Sequence, residues 1–387
     1  MGPLRQCKVY HISGLFGKGV NALSGLTDRE AYVAFNLTDN IGSVGVDDLA
    51  ERFGCVAAAW EAYDGKVARH GGAIDCRAEF DKARRYGVTI LTPADDGYPE
   101  MLRKTRGHPL ALYVKGDVKA LSLPSVAIVG TRRATAYGLD QANRFGHDLA
   151  QSGWCIVSGL ALGIDSEAHK GALAAGGVTV GVLGSALDRF YPEQSRDLAR
   201  EMVKKGGAVV SEFPFGREPD QQTFPQRNHV VAALASGVIA IEAPAKSGTL
   251  ITTGIAADIG RTVMALPGRV DSPRSAGCLS LIRSGATLVR CAADVAEALS
   301  NLMPPPVAKR RSKNVEPPPT PVSTAPVFSV EESIIMREVD AEGIPMDRLV
   351  QLTGFSAAKV SSLCMTLRLK ERLRFLPGNR VALPRGA

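Results

Sequence analysis

From about Ser125 to Arg290 six short apolar runs punctuate the chain: SVAIVG (125–130), WCIVSG (154–159), TVGVLG (179–184), AVVSEF (208–213), GVIAIEA (237–243) and TVMALPG (262–268). Segments with helical periodicity separate them, at Leu139–Gln151, Asp165–Ala175, Gln194–Lys205, Val230–Ser236 and Leu250–Ile259. Near-continuous Val- and Ile-rich strands alternating with helices predict a sheet covered on both faces. The fold class expected is therefore α/β, an extended Rossmann-like domain with a doubly wound, mostly parallel sheet. Ahead of it, DKARRYGVTILTPADDGYPEMLRK (81–104) and ALYVKGD (111–117) predict one more helix and two extra strands. The domain is thus expected to span 81–301.

Two smaller regions flank it. Residues 26–80 read as mostly helical: Thr27-Asp28-Arg29-Glu30 has capping-box spacing, and an amphipathic stretch runs through Leu49, Phe53 and Trp60 after the glycines of Asn40–Gly45. A helix, a Gly-bearing turn and a second helix fit a small domain of SAM or helix-hairpin-helix type, preceded by an extension over 1–25. A plain helical bundle fits as well. At the other end, 328–387 predicts helices at 331–341, Met346–Thr353 and Ser356–Lys370. Two strands follow around Pro377-Gly378-Asn379, which reads as a helix-turn-helix with a wing. Its third helix offers Lys359, Arg368 and Lys370, so that both protein contact and DNA contact stay open. Between the two regions, 302–327 holds eight prolines and the cluster Lys309, Arg310, Arg311 and Lys313 with no apolar period, the composition of a semi-extended linker.

Composition narrows the class. At 387 residues, 45% hydrophobic and 22% charged, the chain matches folded globular proteins. It shows no run long enough for a membrane span and no signal-peptide core, so a cytosolic protein without membrane contact is expected. The seven cysteines are scattered and never spaced C-x-x-C, and the six histidines form no H-x-x-x-H pair. Free thiols in a reducing compartment and no metal site are the expectation. Of the net charge of +7, most gathers after residue 301, where 13 Lys and Arg face 8 Asp and Glu. That imbalance fits a polyanion partner and equally a solubilising surface.

In an open parallel sheet, ligands bind beyond the carboxyl ends of the strands. The loops expected there are rich in glycine and small hydroxyl residues: Gly130-Thr131-Arg132, Ser158-Gly159 through Gly163 and Asp165, Gly184-Ser185, Phe224-Pro225-Gln226-Arg227-Asn228, and Lys246-Ser247-Gly248-Thr249. Helix N-termini of this composition turn backbone N–H groups toward an anion, and Arg132, Arg227 and Lys246 add full charges. A G-x-G-x-x-G dinucleotide fingerprint is absent, and Lys246-Ser247-Gly248 is not in P-loop order, which argues against a dehydrogenase and a P-loop ATPase. Several anion-accepting loops along one rim suit a polymeric phosphate backbone, and no cofactor is expected. Asp165 and His169, one helical turn apart, could form a general-base pair, but helix capping and packing is the reading preferred. Glu212 and Glu242 are expected to end adjacent strands and hold Arg227 and Lys246 in place, and Arg132 could alternatively pair with either carboxylate.

The motifs GTRRATAYG, SGLALGIDSEAHKGAL, LDRFYP, SEFPFG, FPQRN, SGTLIT and GRTVMALPG, in this order and spacing, resemble the DprA/Smf family of DNA-processing proteins over about residues 26–300. The resemblance implies a homodimeric single-stranded DNA-binding protein that loads RecA in natural transformation or recombination, with no established catalytic activity. It places the family's Gly-x-Arg arginine at Arg132, the Ser-Gly loop at Ser158 and Gly159, the Arg-Asn pair at Arg227 and Asn228, and the SGT loop at Lys246–Thr249. Binding would be electrostatic and largely independent of base sequence, with stacking on Tyr137 or Phe190. Two departures stand out: His229 follows Asn228 where many members have Arg, and Glu193 follows Tyr-Pro where many carry a basic residue. Arg196 is the residue expected to take over that contact. An enzyme on the same fold, a LOG-type nucleotide phosphoribohydrolase, is the alternative, but its Pro-Gly-Gly-x-Gly-Thr loop has only Ala245-Lys246-Ser247-Gly248-Thr249 as a counterpart.

Overall fold

The structure is a computed structural model that describes residues 25–69, 73–300, 329–340, 342–370, 372–376 and 378–384. Residues 1–24 of the expected extension and the whole expected linker lie outside the described residues. The chain divides into two compact units, Met1–Arg310 and Arg311–Ala387.

The first unit begins with four helices: α1 (Asp28–Asn36), α2 (Ser43–Phe53), α3 (Val56–Ala62) and α4 (Cys76–Tyr86). The capping box of α1 forms as read, with Thr27 and Glu30 exchanging both bonds. The amphipathic stretch through Trp60 is two helices, because Gly54 takes a left-handed conformation (φ 88°) that ends α2. Trp60 meets Phe35 edge-on at 4.9 Å.

Nine strands follow: β1 (Thr89–Leu91), β2 (Leu112–Gly116), β3 (Ser125–Val129), β4 (Cys155–Ser158), β5 (Thr179–Val182), β6 (Ala208–Ser211), β7 (Gly237–Ala240), β8 (Thr262–Ala265) and β9 (Thr287–Leu288). They form one sheet in the order β1-β2-β6-β5-β4-β3-β7-β8-β9. The seven from β3 onward run parallel, while β2 pairs antiparallel with β6 and β1 antiparallel with β2. The mixed α/β fold with a large, mostly parallel sheet is thus the one expected. Helices α5 (Glu100–Arg103), α6 (Ala136–Gln151), α7 (Ile164–Ala174), α8 (Arg196–Lys204), α9 (Thr223–Leu234), α10 (Gly248–Asp258), α11 (Ala276–Arg283) and α12 (Ala292–Leu299) make the connections.

Strand alternation explains the unbroken apolar runs. Ala127 and Val129 join one core with Val157, Val182, Val230 and Val238, while Val126 and Ile128 join another with Phe145, Ile156, Ile239 and Met264. Both faces are buried, so neither set of alternating positions can be polar. A third core lies under α1–α4 and takes in Ile90 of β1 and Ala111 and Tyr113 at β2. None of the six cysteines among the described residues is in a disulfide. No described helix is long and apolar enough to cross a membrane.

One difference bears on function. The FPQRN segment, read as a loop, forms the first turns of α9. Asp220 starts that helix by accepting from the backbone N–H groups of Gln222 and Thr223, both at 2.8 Å, and Pro225 is tolerated in a first turn where no intrahelical donor is needed.

The second unit contains α13 (Val330–Glu338), β10 (Ile344–Pro345), α14 (Met346–Thr353), α15 (Ala357–Leu369), β11 (Arg374–Leu376) and β12 (Arg380–Ala382), the strands forming an antiparallel sheet in the order β10-β12-β11. It has its own core around Ile335, Leu349, Val360, Leu367 and Val381.

Because every strand of the large sheet precedes residue 289, a chain ending at Arg310 should fold and melt cooperatively close to the midpoint of the corresponding transition in the full chain. Calorimetry on both proteins checks this; a truncated protein that is insoluble or melts without cooperativity contradicts it.

Candidate nucleic-acid interface

The parallel strands reverse order at β3, whose neighbours are β4 and β7, so this is the topological switch point where a crevice opens beyond the carboxyl ends. Glu242, after β7, locks the two loops there. Its backbone carbonyl accepts from Thr131 N at 2.8 Å, and its buried carboxylate accepts from Thr135 N at 2.9 Å and Thr135 Oγ1 at 2.5 Å. Thr135 Oγ1 in turn accepts from Gly138 N at 3.0 Å and caps α6. The Glu242 charge is therefore consumed beneath the rim. Glu212 lies at the end of β6, four strands from β7. The expected adjacency of the two glutamates is wrong, because the chain crosses to the far side of β3 after α9.

Deeper, the main chain of Gly159 is held from both sides. Its N–H donates to Asp165 Oδ2 at 3.2 Å, with Ala161 N at 3.4 Å beside it. Its carbonyl accepts from Arg227 Nη1, which also donates to Val182 O at 2.7 Å. A Cβ at position 159 would meet the Arg227 guanidinium at 2.3 Å, so only glycine fits. Arg227 Nε donates to Asn228 Oδ1 at 3.1 Å. Arg227 and Asp165 are each 6% exposed. Burial brings Arg227 down to about 10, against the pull of Asp165 and with a further push from Arg132. Burial raises the Asp165 carboxyl, opposed by Arg227 and the two backbone N–H groups. Arg227 is thus held by backbone carbonyls and the Asp165 field, and neither Glu212 nor Glu242 touches it.

His169 does not bond Asp165. Its Nδ1 lies 2.6 Å from Thr179 Oγ1, whose own proton goes to Ile156 O. The imidazole therefore donates from Nδ1, and Nε2 is left buried without a protein partner. Burial, reinforced by Arg227, pushes His169 down to about 3. A fully buried imidazole with so low a pKa is a poor general base near neutral pH. Ser158 is also fully buried, its hydroxyl donating to Ile128 O at 2.5 Å, so it supports the loop and offers the rim no group.

Above this floor lies a cleft of about 340 Å³. Arg132, Arg133, Leu162, Gly163, Ser166, Lys170 and Ser195 are among the residues that line it. Gly163 (φ 85°) makes the turn into α7, and a Cβ there would strike Thr131 O at 2.6 Å. Arg132 is exposed, with its guanidinium 5.0 Å above the Phe224 ring. Tyr191 flanks Phe224 at 6.1 Å and is 45% exposed. Among the described residues no carboxylate forms an ion pair with Arg132, Arg133 or Lys246. Lys246 and Gly248 are exposed, Thr249 is buried, and Ser247 Oγ is buried without a partner at the start of α10. Tyr137 is 47% exposed, while Phe190 lies under the Arg196 guanidinium at 5.2 Å.

Arg196 behaves otherwise than expected: Nη2 donates to Glu193 Oε2 at 2.7 Å and Nε lies 2.6 Å from Oε1. The departure at 193 thus neutralises the residue expected to compensate for it. Sequence reasoning had Arg133 in its loop without singling it out, and missed Ser166 and Lys170, which stand four apart on α7, a spacing that marks one helix face. On α15 of the second unit, Lys359 pairs with Glu331, Lys370 pairs with Glu332 at 2.6 Å, and Arg368 covers the Phe375 ring.

The family model described as DNA recombination-mediator protein A matches residues 89–300, which include all the parallel strands and the rim they carry. The chain belongs to that family. It is 35% identical to the DNA processing protein DprA of Streptococcus pneumoniae over 70% of this chain and 93% of that one. It is 42% identical to the protein Smf of Escherichia coli over 55% of this chain and 56% of the other. The solved structure of the S. pneumoniae protein superposes with a TM-score of 0.54 over 70% of this chain and 93% of its own. That of DNA processing protein A from Helicobacter pylori, described for its single-stranded DNA binding mode, does so with a TM-score of 0.50 at 30% identity, covering 55% of this chain and 96% of its own. These likenesses support DNA processing in recombination as the function of the family fold.

Two buried groups give opposite pH signatures. His169 is held near 3 against an ordinary 6.5, so the unfolded chain binds a proton that the folded one refuses, and stability falls as pH drops from about 6.5 toward 3. Glu212, whose Oε1 is buried without a partner, is pushed by burial up to about 7 despite Arg69, so its contribution weakens as pH rises from about 4.5 to 7. Melting temperatures across pH should therefore show a shallower acid loss in His169→Gln and a shallower loss between pH 4.5 and 7 in Glu212→Gln. Parallel profiles for wild type and both variants contradict the assignments.

Proposed function

We infer that this chain binds single-stranded DNA along the rim beyond β3 and β7, with Arg132 as the principal phosphate contact. The observation that carries the reading is the exposed Arg132 guanidinium, paired with no carboxylate among the described residues. It stands over Phe224 at the mouth of the cleft, on the same rim as Arg133 and Lys246. Exposed cations beside aromatic rings suit a flexible strand with accessible bases better than a stacked duplex. Thr131, Gly130, Gly163 and the Ser247–Thr249 turn shape the rim, while Ser158, Gly159, Asp165, His169, Arg227, Asn228 and Glu242 hold its floor. Family likeness extends the same proposal to RecA loading, protection of incoming strands and homodimeric assembly. It also covers the helical SAM or helix-hairpin-helix character of 26–80 and a winged-helix role for 328–387. The binding reading is preferred to a phosphoribohydrolase because the nearest acid–base candidates, Asp165 and His169, are buried and spent on the backbone and on Thr179.

Gel shifts and titrations test it. The wild type should favour single strands over duplex and bind mixed and homopolymeric oligonucleotides alike. Arg132→Ala should melt normally and weaken all of them, with the slope of log K against log[salt] shallower by about 0.7. An Arg132→Ala protein with unchanged affinity and slope removes Arg132 from the site. Release of a free base from nucleoside monophosphates by the wild type, lost in Asp165→Asn, would replace binding with the enzyme reading.

A further inference from the structure

Resting on the single-strand reading above, we propose that the phosphate track leaves Arg132 toward β7 and β8, and that Arg274 is its second arginine. Arg274 closes the loop after β8 and is exposed. Its Nε donates to the carbonyl of Arg133 at 2.8 Å. Its own carbonyl accepts from Ala243 N at 2.9 Å, and Gly277 N donates to Ala243 O at 2.8 Å. These bonds stitch the loops after β3, β7 and β8 into one surface. They also fix the Arg274 stem through a bond at Nε of its exposed guanidinium. An arginine held in this way loses less rotamer freedom when it grips a phosphate.

The distribution of ion pairs sets the direction. On the β4–β5 wing each nearby cation has an acid: Lys170 with Glu167 at 2.7 Å, Arg189 with Glu218 at 3.3 Å and Arg196 with Glu193 at 2.6 Å. On the β3–β7–β8 side, Arg132, Arg133, Lys246 and Arg274 have none among the described residues, and only Arg269 is paired, with Asp271. Those three strands are neighbours in the sheet. Their spacing puts the β3 and β8 loops on the order of 10 Å apart, a span that consecutive phosphates of an extended strand can cover. A polyanion is drawn along the side where positive charge is uncancelled.

The test uses the full-length protein and a homopolymeric single-stranded oligonucleotide titrated at several salt concentrations. Arg274→Gln keeps a donor for the Arg133 carbonyl and removes the charge, so the salt slope should become shallower by about 0.7. Arg274→Lys should restore the slope. The charge-neutral double variant Glu193→Gln/Arg196→Gln should leave affinity and slope unchanged. A normally melting Arg274→Gln protein with the wild-type slope overturns the track, as does a slope change in the double variant as large as that of Arg274→Gln. If the wild type binds with an Arg132-dependent slope but Arg274 has no effect, only the track falls. If the wild type does not bind single strands, the site reading falls with it.

Discussion

The grip of Asp165 and Arg227 on the main chain of Gly159 is the constraint on which the rim depends. Either charge buried without compensation would cost several kcal/mol. Here backbone donors and acceptors complete the compensation: Gly159 and Ala161 N–H groups for the carboxylate, Gly159 and Val182 carbonyls for the guanidinium. The bonds fix the chain as it leaves β4, where Leu160 takes a positive φ of 54° and Gly163 turns into α7. They also fix α9, the element that carries the chain back across the sheet to β7. Strand order, the switch point and the floor of the cleft thus meet at one peptide group.

From this floor the electrostatics of the surface follow. Arg227 is buried beneath Arg132 and feels its charge, while the carboxylate of Glu242 is turned inward onto Thr135. The rim is therefore positive where the loops of β3 and β7 meet, although residues 25–300 as a whole are close to charge balance. Local arrangement outweighs net charge: acids pair the nearby cations of the β4–β5 wing, while on the β3–β7–β8 side Asp271 takes Arg269 and Arg132, Arg133, Lys246 and Arg274 pair with none among the described residues. Such a surface attracts anions by a field that no sum over the sequence could locate.

The buried polar groups divide the same way between support and contact. His169 bonds Thr179, and Thr179 and Ser158 donate to strand carbonyls beneath the rim, and their burial withdraws all three from the surface. The outer positions are left to exposed side chains on loops and first helical turns, while the rigid layer below keeps their origins fixed.

Much of the fold was legible from the chain alone. The apolar runs at 125–130, 154–159, 179–184, 208–213, 237–243 and 262–268 mark strands because a sheet buried on both faces tolerates no polar alternation, and the motif order from GTRRATAYG to GRTVMALPG marked the family. Arg132 was legible as well, since an arginine directly after a strand-ending Gly-Thr stands at the carboxyl edge. What tertiary structure alone decided was which charges cancel. Local sequence placed Arg227 in a loop and gave it Glu212 or Glu242 as its acid, yet the fold put it in a helix, under the rim and in the field of Asp165. Arg196 stood as a free cation until Glu193 met it across one turn, and nothing in its own segment singled out Arg274 before the β8 loop came to rest on Arg133. Strand identity is a property of successive residues and can be read along the chain. The pairing of charges depends on distances between loops far apart in sequence, which exist only once the sheet has set their order.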